Sequence, residues 1–382
     1  MRLVALRGQI VTDYEVWPEG TLLLGDGSIA DVSPDDSLVV EADEVHDHAG
    51  SLILPGFVDL QVNGAFGVDV ASESSRLPEL SEALLSTGTT SYLPTVISSP
   101  WDVYEEALPA IESPGDSGAE VLGVHLEGPF ISVEERGAHA AAHVAKPDAE
   151  LLARLLDLGP VRMITLAPEL EGADGLISLA ANRGVVVSAG HSAVAFEPAY
   201  DALDGQVVGV THLFNGMSEM HHREPGLPGA AFAHPRAVCG LIADGLHVHP
   251  EMVALAYRML GPDRLCLVTD AIAATGMEDG EYRLATRTVY VDGGVPRLGS
   301  GAIAGSVLTM REAFMNILAF TGCTVAEAAR MTSTSAAKLV GEGRRKGRLA
   351  PGYDADVTVL TPGLSVETVW RSGKHVYTLE GR

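Results

Sequence analysis

The chain has 382 residues, room for one large domain or two or three small ones. Hydrophobic residues make up 46% and charged residues 20%, ordinary globular usage that excludes disorder of the whole chain. Against 25 basic residues stand 51 acidic ones, a formal charge of −26. Such a surface repels nucleic acid and anionic lipid, and it accepts an anionic small molecule only in a locally positive pocket. Cys239, Cys266 and Cys323 are scattered and form no CxxC, so neither a zinc ribbon nor a disulfide framework is indicated. Three such thiols suit a reducing compartment. The first residues lack a signal-peptide core, and no apolar run reaches about 18 residues. A cytoplasmic location is expected.

Residues 1–52 contain short strand-like pieces, LVALRGQIV and GTLLLGDGSIADV, broken by Gly-Asp-Gly. The texture returns from Arg348 onward in LAPGYDADVTVLTP and VETVWRSGKHVY. Both ends are therefore expected to build one small β-sandwich domain (1–52 plus 348–382) around a middle unit, 53–347. In that middle unit, apolar runs alternate with helix-like stretches such as RLPELSEALLSTG, AELLARLLDLG and EMVALAYRML. Eight runs read as strands: GFVDLQVN, TSYLPTV, VLGVHLEG, VRMITLAPE, VVVSAGHS, VVGVTHLFN, AVCGLIADGLH and RLCLVTDA. Continuous apolar strands between helices imply a parallel sheet buried on both faces, and eight units imply an α/β fold, a (β/α)8 TIM-like barrel.

Nearly every strand ends in residues able to do chemistry: Gln61 and Asn63, His125 and Glu127, His191, His212 and Asn215, Asp244 and His247, Asp270. In such a barrel these ends form the active site. Glu127, His191 and His212, on three different strands, make a donor set for a divalent metal with an open position. Water at an open position ionises near neutral pH and attacks a carbonyl. Asp270, in VTDA, is placed to take that proton and return it to a leaving amine.

Several of these segments carry a resemblance. HLEGPF at 125–130, AGHS at 189–192, THLFNGM at 211–217, DGLH at 244–247 and TDA at 269–271 resemble the N-acetylglucosamine-6-phosphate deacetylases of the amidohydrolase superfamily. The likeness runs from PGFVDLQVNG at 55–64 to AGSVLTM at 304–310, and GRLAPGYDADVTVL at 347–360 is similar to the superfamily's return into its small β domain. HLEGPF and THLFNGM are specific to the family; PGFVD and the ending are not.

The resemblance implies roles. Glu127, His191 and His212 would hold the metal, and Asp270 would act as base and then acid. His139 would donate a hydrogen bond to the acetyl oxygen as charge develops there. Arg223, His247, Asn215 and the Gly216 backbone would grip the sugar phosphate, with Arg223 reaching the site of a neighbouring subunit in a homodimer. Ile303 and Leu308 would line the acetyl pocket. Many superfamily members carry HxH on the first strand as ligands to a second metal, whereas this chain has Gln61-Val62-Asn63. Amides are weaker ligands than imidazoles, so Gln61 and Asn63 read as a remnant of a second site. One divalent ion is expected, zinc first, with iron or another divalent ion compatible. The fourth strand ends in Ala167-Pro168-Glu169 without lysine, which argues against a carboxylated-lysine site.

GxxxxGK[ST] and GxSxG are absent, and GGVPRLGSGAIAG at 293–305 reads as a hairpin and loop near the site. The expected activity is hydrolysis of N-acetyl-D-glucosamine 6-phosphate to D-glucosamine 6-phosphate and acetate. Two rivals stand beside it: a deacetylase of the galacto epimer or another amidohydrolase, and a non-catalytic barrel that binds sugar phosphate.

Overall fold

The computed structural model describes residues 2–111 and 117–379. The chain opens with β1 (Leu3–Val11), β2 (Val16–Gly25), β3 (Ser28–Ser33) and β4 (Glu44–Pro55). Its last strands are β16 (Val357–Leu360), β17 (Val366–Arg371) and β18 (Lys374–Thr378). These seven form one sheet in the order β18-β17-β16-β4-β1-β2-β3, antiparallel except where β1 meets β4. The two chain ends thus share a sheet, with Leu6, Ile10, Leu22, Ile53, Val357, Val359 and Trp370 buried together against it.

Between these ends run β5 (Phe57–Val62), β6 (Thr89–Ile97), β7 (Val124–Glu127), β8 (Val161–Leu166), β9 (Val186–Ala189), β10 (Val207–Val210), β11 (Val238–Leu241) and β12 (Leu265–Leu267). They pair in that order, all parallel. The eight apolar runs of the sequence each supply one of them. Between β5 and the chain after β12, Asp270 N–H donates to Gln61 O (3.0 Å) and Asn63 N–H to Ala271 O (2.8 Å). A nearly closed eight-stranded barrel results. All nine residues of β6 and all six of β5 are buried, as strands covered on both faces require. The helix-like stretches form Leu77–Leu84, Ala149–Leu158 and Pro250–Arg264 on the outside. Asp148 caps the second of these by accepting from Glu150 N–H and Leu151 N–H.

The glycine-rich stretch near 293–305 belongs to a separate three-stranded antiparallel sheet, β13 (Gly280–Leu284), β14 (Arg287–Asp292) and β15 (Val295–Arg297). This sheet lies in the chain between β12 and the helix Met310–Thr321, and it reaches the C-terminal ends of the barrel strands, where Leu284 and Ile303 line a cavity. Among the described residues, no helix is long and apolar enough to cross a membrane.

A buried ion cluster joins the terminal sheet to the barrel. The Lys346 ammonium lies 2.8 Å from Glu120 and 3.1 Å from Asp354, and it also pairs with Asp356. Arg345 adds 2.6 Å bonds to Glu120 and Asp354. Burial alone would raise the Glu120 carboxyl, but the Arg345 hydrogen bond and the Lys346 charge outweigh it and bring the group down to about 2.

Candidate active site

One cavity of about 200 Å³ opens at the C-terminal strand ends. Glu127 stands at the end of β7, His191 just past β9 and His212 just past β10. Glu127 Oε1 lies 3.1 Å from His191 Nε2 and 2.9 Å from His212 Nε2, and the two nitrogens are 3.1 Å apart. Asp270, His139, Asn215, Gly216, His247 and Ile303 line the same cavity.

The backbone makes sharp turns to present these groups. His191 (φ 48°), His212 (φ 29°) and Asp270 (φ 52°) all adopt left-handed conformations that cost a residue with a Cβ about 1–3 kcal/mol each. Strain at three converging polar residues marks a site rather than a packing accident.

Tautomers follow from the partners. His191 Nδ1 faces the Glu135 carbonyl oxygen at 2.8 Å, so it carries the proton and Nε2 offers a lone pair to the cluster. Burial would raise the Glu127 carboxyl, but the His191 and His212 imidazoles set against it hold it well below the usual carboxylate range. Burial would lower His212, yet the Glu127 carboxylate pulls it upward. Two imidazole nitrogens and a carboxylate oxygen crowded within 3.1 Å of one another therefore draw positive charge between them. Tetrahedral zinc with N and O ligands places ligand atoms about 3.3 Å apart, so the spacing fits one ion. The residues present could hold a metal. A second triple, Glu127, His139 and His191, also brings ligand atoms within 4.8 Å. His139 is the less suited member, because Ser98 N–H donates to its Nδ1 (3.2 Å) and leaves the proton on Nε2.

Gln61 and Asn63 turn their amides to the neighbouring carboxylates. Gln61 Nε2 donates to Glu127 Oε1 (2.9 Å) and to Asp270 Oδ1 (3.1 Å). Asn63 Nδ2 donates to Asp270 Oδ1 (2.7 Å). The two amides tie the carboxylate of the cluster to Asp270. Burial and the Glu127 charge push Asp270 upward, toward a group that takes and releases a proton near neutrality. Burial lowers His139 to about 3, so it stays neutral at ordinary pH.

The remaining expected residues divide. His247 lines the cavity, its Nδ1 held at 2.6 Å by Asp244, whose other oxygen accepts two backbone N–H groups. Asn215 spends its amide on the carbonyls of His212 and Leu213. Leu308 lines an adjoining cavity, with Ile303 and His247 on the shared wall. Arg223 is not brought to the Glu127–His191–His212 cluster within one chain. It lines a surface hollow with His221 and Glu224, and its guanidinium bonds His222 at 2.8 Å. No Lys or Arg lines the main cavity among the described residues.

Below the cluster lies a buried lace that the strand-end pattern does not show. His125 Nδ1 donates to Leu60 O (3.0 Å), so its Nε2 accepts from the Thr165 hydroxyl (2.8 Å). Thr165 must then accept from Thr211 (2.7 Å), and Thr211 from Ser188 (2.7 Å). This one-way chain links β7, β8, β9 and the end of β10, the strands that lead into Glu127, His191 and His212. Asp59 similarly accepts the Thr269 hydroxyl (2.6 Å) next to Asp270. The polar residues inside apolar strands, T in VRMITL and S in VVSA, are the signal that would have found the lace.

A family model described as the amidohydrolase family matches residues 52–376. The chain belongs to the amidohydrolase family. Among its relatives, the bovine N-acetylglucosamine-6-phosphate deacetylase is 39% identical over 98% of this chain and 94% of its own length. An N-acetylgalactosamine-6-phosphate deacetylase from Escherichia coli O157:H7 is 36% identical over 97% of this chain and 98% of its own. A solved structure of a mutant N-acetyl-D-glucosamine-6-phosphate deacetylase from Mycobacterium smegmatis, in complex with N-acetyl-D-glucosamine-6-phosphate, superposes with a TM-score of 0.92 at 31% identity, covering 99% of this chain and 100% of that one. This amidohydrolase thus shares both barrel and terminal sheet with a deacetylase seen bound to an amino-sugar phosphate.

Proposed function

We propose that this amidohydrolase hydrolyses the acetamide of N-acetyl-D-glucosamine 6-phosphate to D-glucosamine 6-phosphate and acetate. The observation that carries the reading is the convergence of Glu127, His191 and His212 with Asp270 in one cavity. Glu127, His191 and His212 would hold one divalent ion, zinc first, with iron or another divalent ion compatible with the same donors. Such an ion supplies positive charge that polarises the acetyl carbonyl and acidifies water.

The chain's own groups do the rest. Asp270 accepts a proton as the water oxygen bonds to the carbonyl carbon. His139 donates a hydrogen bond from Nε2 to the oxygen as it becomes anionic. Asp270 then passes its proton to the sugar nitrogen as the C–N bond breaks, which releases acetate and the amine. Gln61 and Asn63 keep the Asp270 carboxylate aimed across this path. His247, the Gly216 N–H and the Asn215 amide, once released from the carbonyls of His212 and Leu213, would orient the phosphate end, and a fixed remote end lowers the barrier at the reacting carbon. A dianion in a cavity without Lys or Arg needs a cation from elsewhere, which favours a homodimer in which Arg223 serves the neighbouring site. The division into a catalytic unit over 53–347 and a small β unit over 1–52 plus 348–382 belongs to the same reading.

The galacto epimer is the second reading, because the Escherichia coli relative named for that substrate is almost as similar. The test is acetate release from both epimeric sugar phosphates, before chelation, after it, and after zinc is restored. Release from the gluco compound that follows the metal supports the proposal. Release from the galacto epimer alone replaces the substrate, and release unaffected by chelation refutes the metal.

A further inference from the structure

His139 and His191 share a cavity and face the same carboxylate, yet their surroundings fix opposite tautomers. His191 Nδ1 meets a carbonyl oxygen, which only accepts. His139 Nδ1 meets the backbone N–H of Ser98 at 3.2 Å, which only donates, and the Ser98 hydroxyl at 2.8 Å. A proton on His139 Nδ1 would point at that N–H, so the neutral ring carries its proton on Nε2. That nitrogen lies on the cavity side, 3.8 Å from Glu127 Oε2. One ring is prepared to ligate, the other to donate.

We propose that Ser98 is a positioning residue that fixes His139 as an Nε2–H donor and so keeps it out of the ligand set. The inference deepens the deacetylase reading, on which the identity of the accepting oxygen rests.

The neighbourhood is built for this contact. Ser98 follows directly on β6, whose end is fastened by Ser99, its N–H on Tyr104 Oη (3.1 Å) and its hydroxyl on Ile97 O (2.8 Å). A Cβ on Gly128 would stand 2.4 Å from Ser98 Oγ, and φ there is +89°, so only glycine leaves the hydroxyl its path to the ring. From the other side, Arg287 at the tip of the β13–β14 hairpin donates to the carbonyls of Ala138 (3.3 Å) and His139 (3.5 Å). Ring and backbone are thus held independently. As the amide carbon becomes tetrahedral, an Nε2–H already in place strengthens its bond to the oxygen with no reorganisation.

The test reads the rings directly. In metal-loaded, 15N-histidine-labelled protein, His139 is expected to show a bare Nδ1 and a protonated Nε2, and His191 the reverse. A bare Nε2 on His139, including one bound to the metal, overturns the proposal. Ser98→Ala is expected to lower kcat by about 10-fold with KM and metal content unchanged, short of the ~100–1,000-fold that follows outright removal of such a donor. Ser98→Thr, which keeps the hydroxyl, is expected to recover most of the loss. Wild-type kcat in Ser98→Ala overturns the role of the side chain. If wild-type protein shows the expected ring but releases no acetate, the deacetylase reading fails while the Ser98 assignment stands.

Discussion

Two glycines flank the His191 ring, and they predict different outcomes for the same substitution. A Cβ on Gly216 would lie 2.7 Å from His191 Nδ1, 3.0 Å from Cε1 and 3.2 Å from Glu135 O. That is the space occupied by the 2.8 Å bond from His191 to Glu135. A Cβ on Gly137 would lie 3.4 Å from Cε1 and 3.8 Å from Nδ1, an ordinary contact. Both glycines have left-handed φ, 54° and 53°, so alanine at either costs about 1–2 kcal/mol of backbone energy. Only Gly216→Ala should also displace the ring. Losing the partner that orients a ligating imidazole typically weakens metal binding about 10–100-fold. The measurement is zinc affinity by chelator competition, with thermal unfolding in parallel. Gly216→Ala should lose more stability than Gly137→Ala, because it adds a clash to the shared backbone cost, and only Gly216→Ala should lose affinity. Equal zinc affinity in Gly216→Ala and wild type would refute the assignment of His191 as a ligand held by Glu135.

The other predictions touch different parts of the molecule. Arg223→Ala should raise KM by roughly 10–200-fold, for a lost charge-assisted contact of about 1.5–3 kcal/mol, with kcat little changed. An unchanged KM in steady-state kinetics removes Arg223 from the phosphate grip. Thr165→Val breaks the lace between His125 and Thr211, strands two buried polar groups, and should cost about 1–3 kcal/mol in urea unfolding. Lys346→Met leaves three carboxylates together with Arg345 to balance them, and should cost about 3–5 kcal/mol. A wild-type urea midpoint would refute that account. Glu120, normally near 4.5 and here about 2, gives stability that is present above its ordinary range and lost as pH falls toward 2. Thermal unfolding from pH 5 downward should therefore fall more steeply in wild type than in Glu120→Gln.

What the sequence made legible was what depends on periodicity and on strand ends. Eight apolar runs between helical stretches are strands buried on both faces, and each stands in the barrel in chain order. A run of that kind can afford a polar residue only at an end or where a partner waits. Glu127, His191, His212 and Asp270 therefore stood out, and they meet in one cavity. The two chain ends share a β texture because they are strands of a single sheet.

What the sequence hid depends on distance between segments far apart in the chain. From the sequence, Gln61 and Asn63 read as a remnant of a second metal site because amides ligate poorly. Their donor hydrogens, though, could be placed only once β5 stood beside Asp270, more than 200 positions away. An imidazole in each position would present Asp270 with a ring nitrogen that donates or accepts according to its proton. An amide NH2 can only donate, so through Oδ1 both amides favour the charged form of the Asp270 carboxylate, against the burial and the Glu127 charge that push it upward. On the proposed mechanism, Gln61 and Asn63, which are weak ligands for a second ion, would instead serve to aim Asp270 as the base.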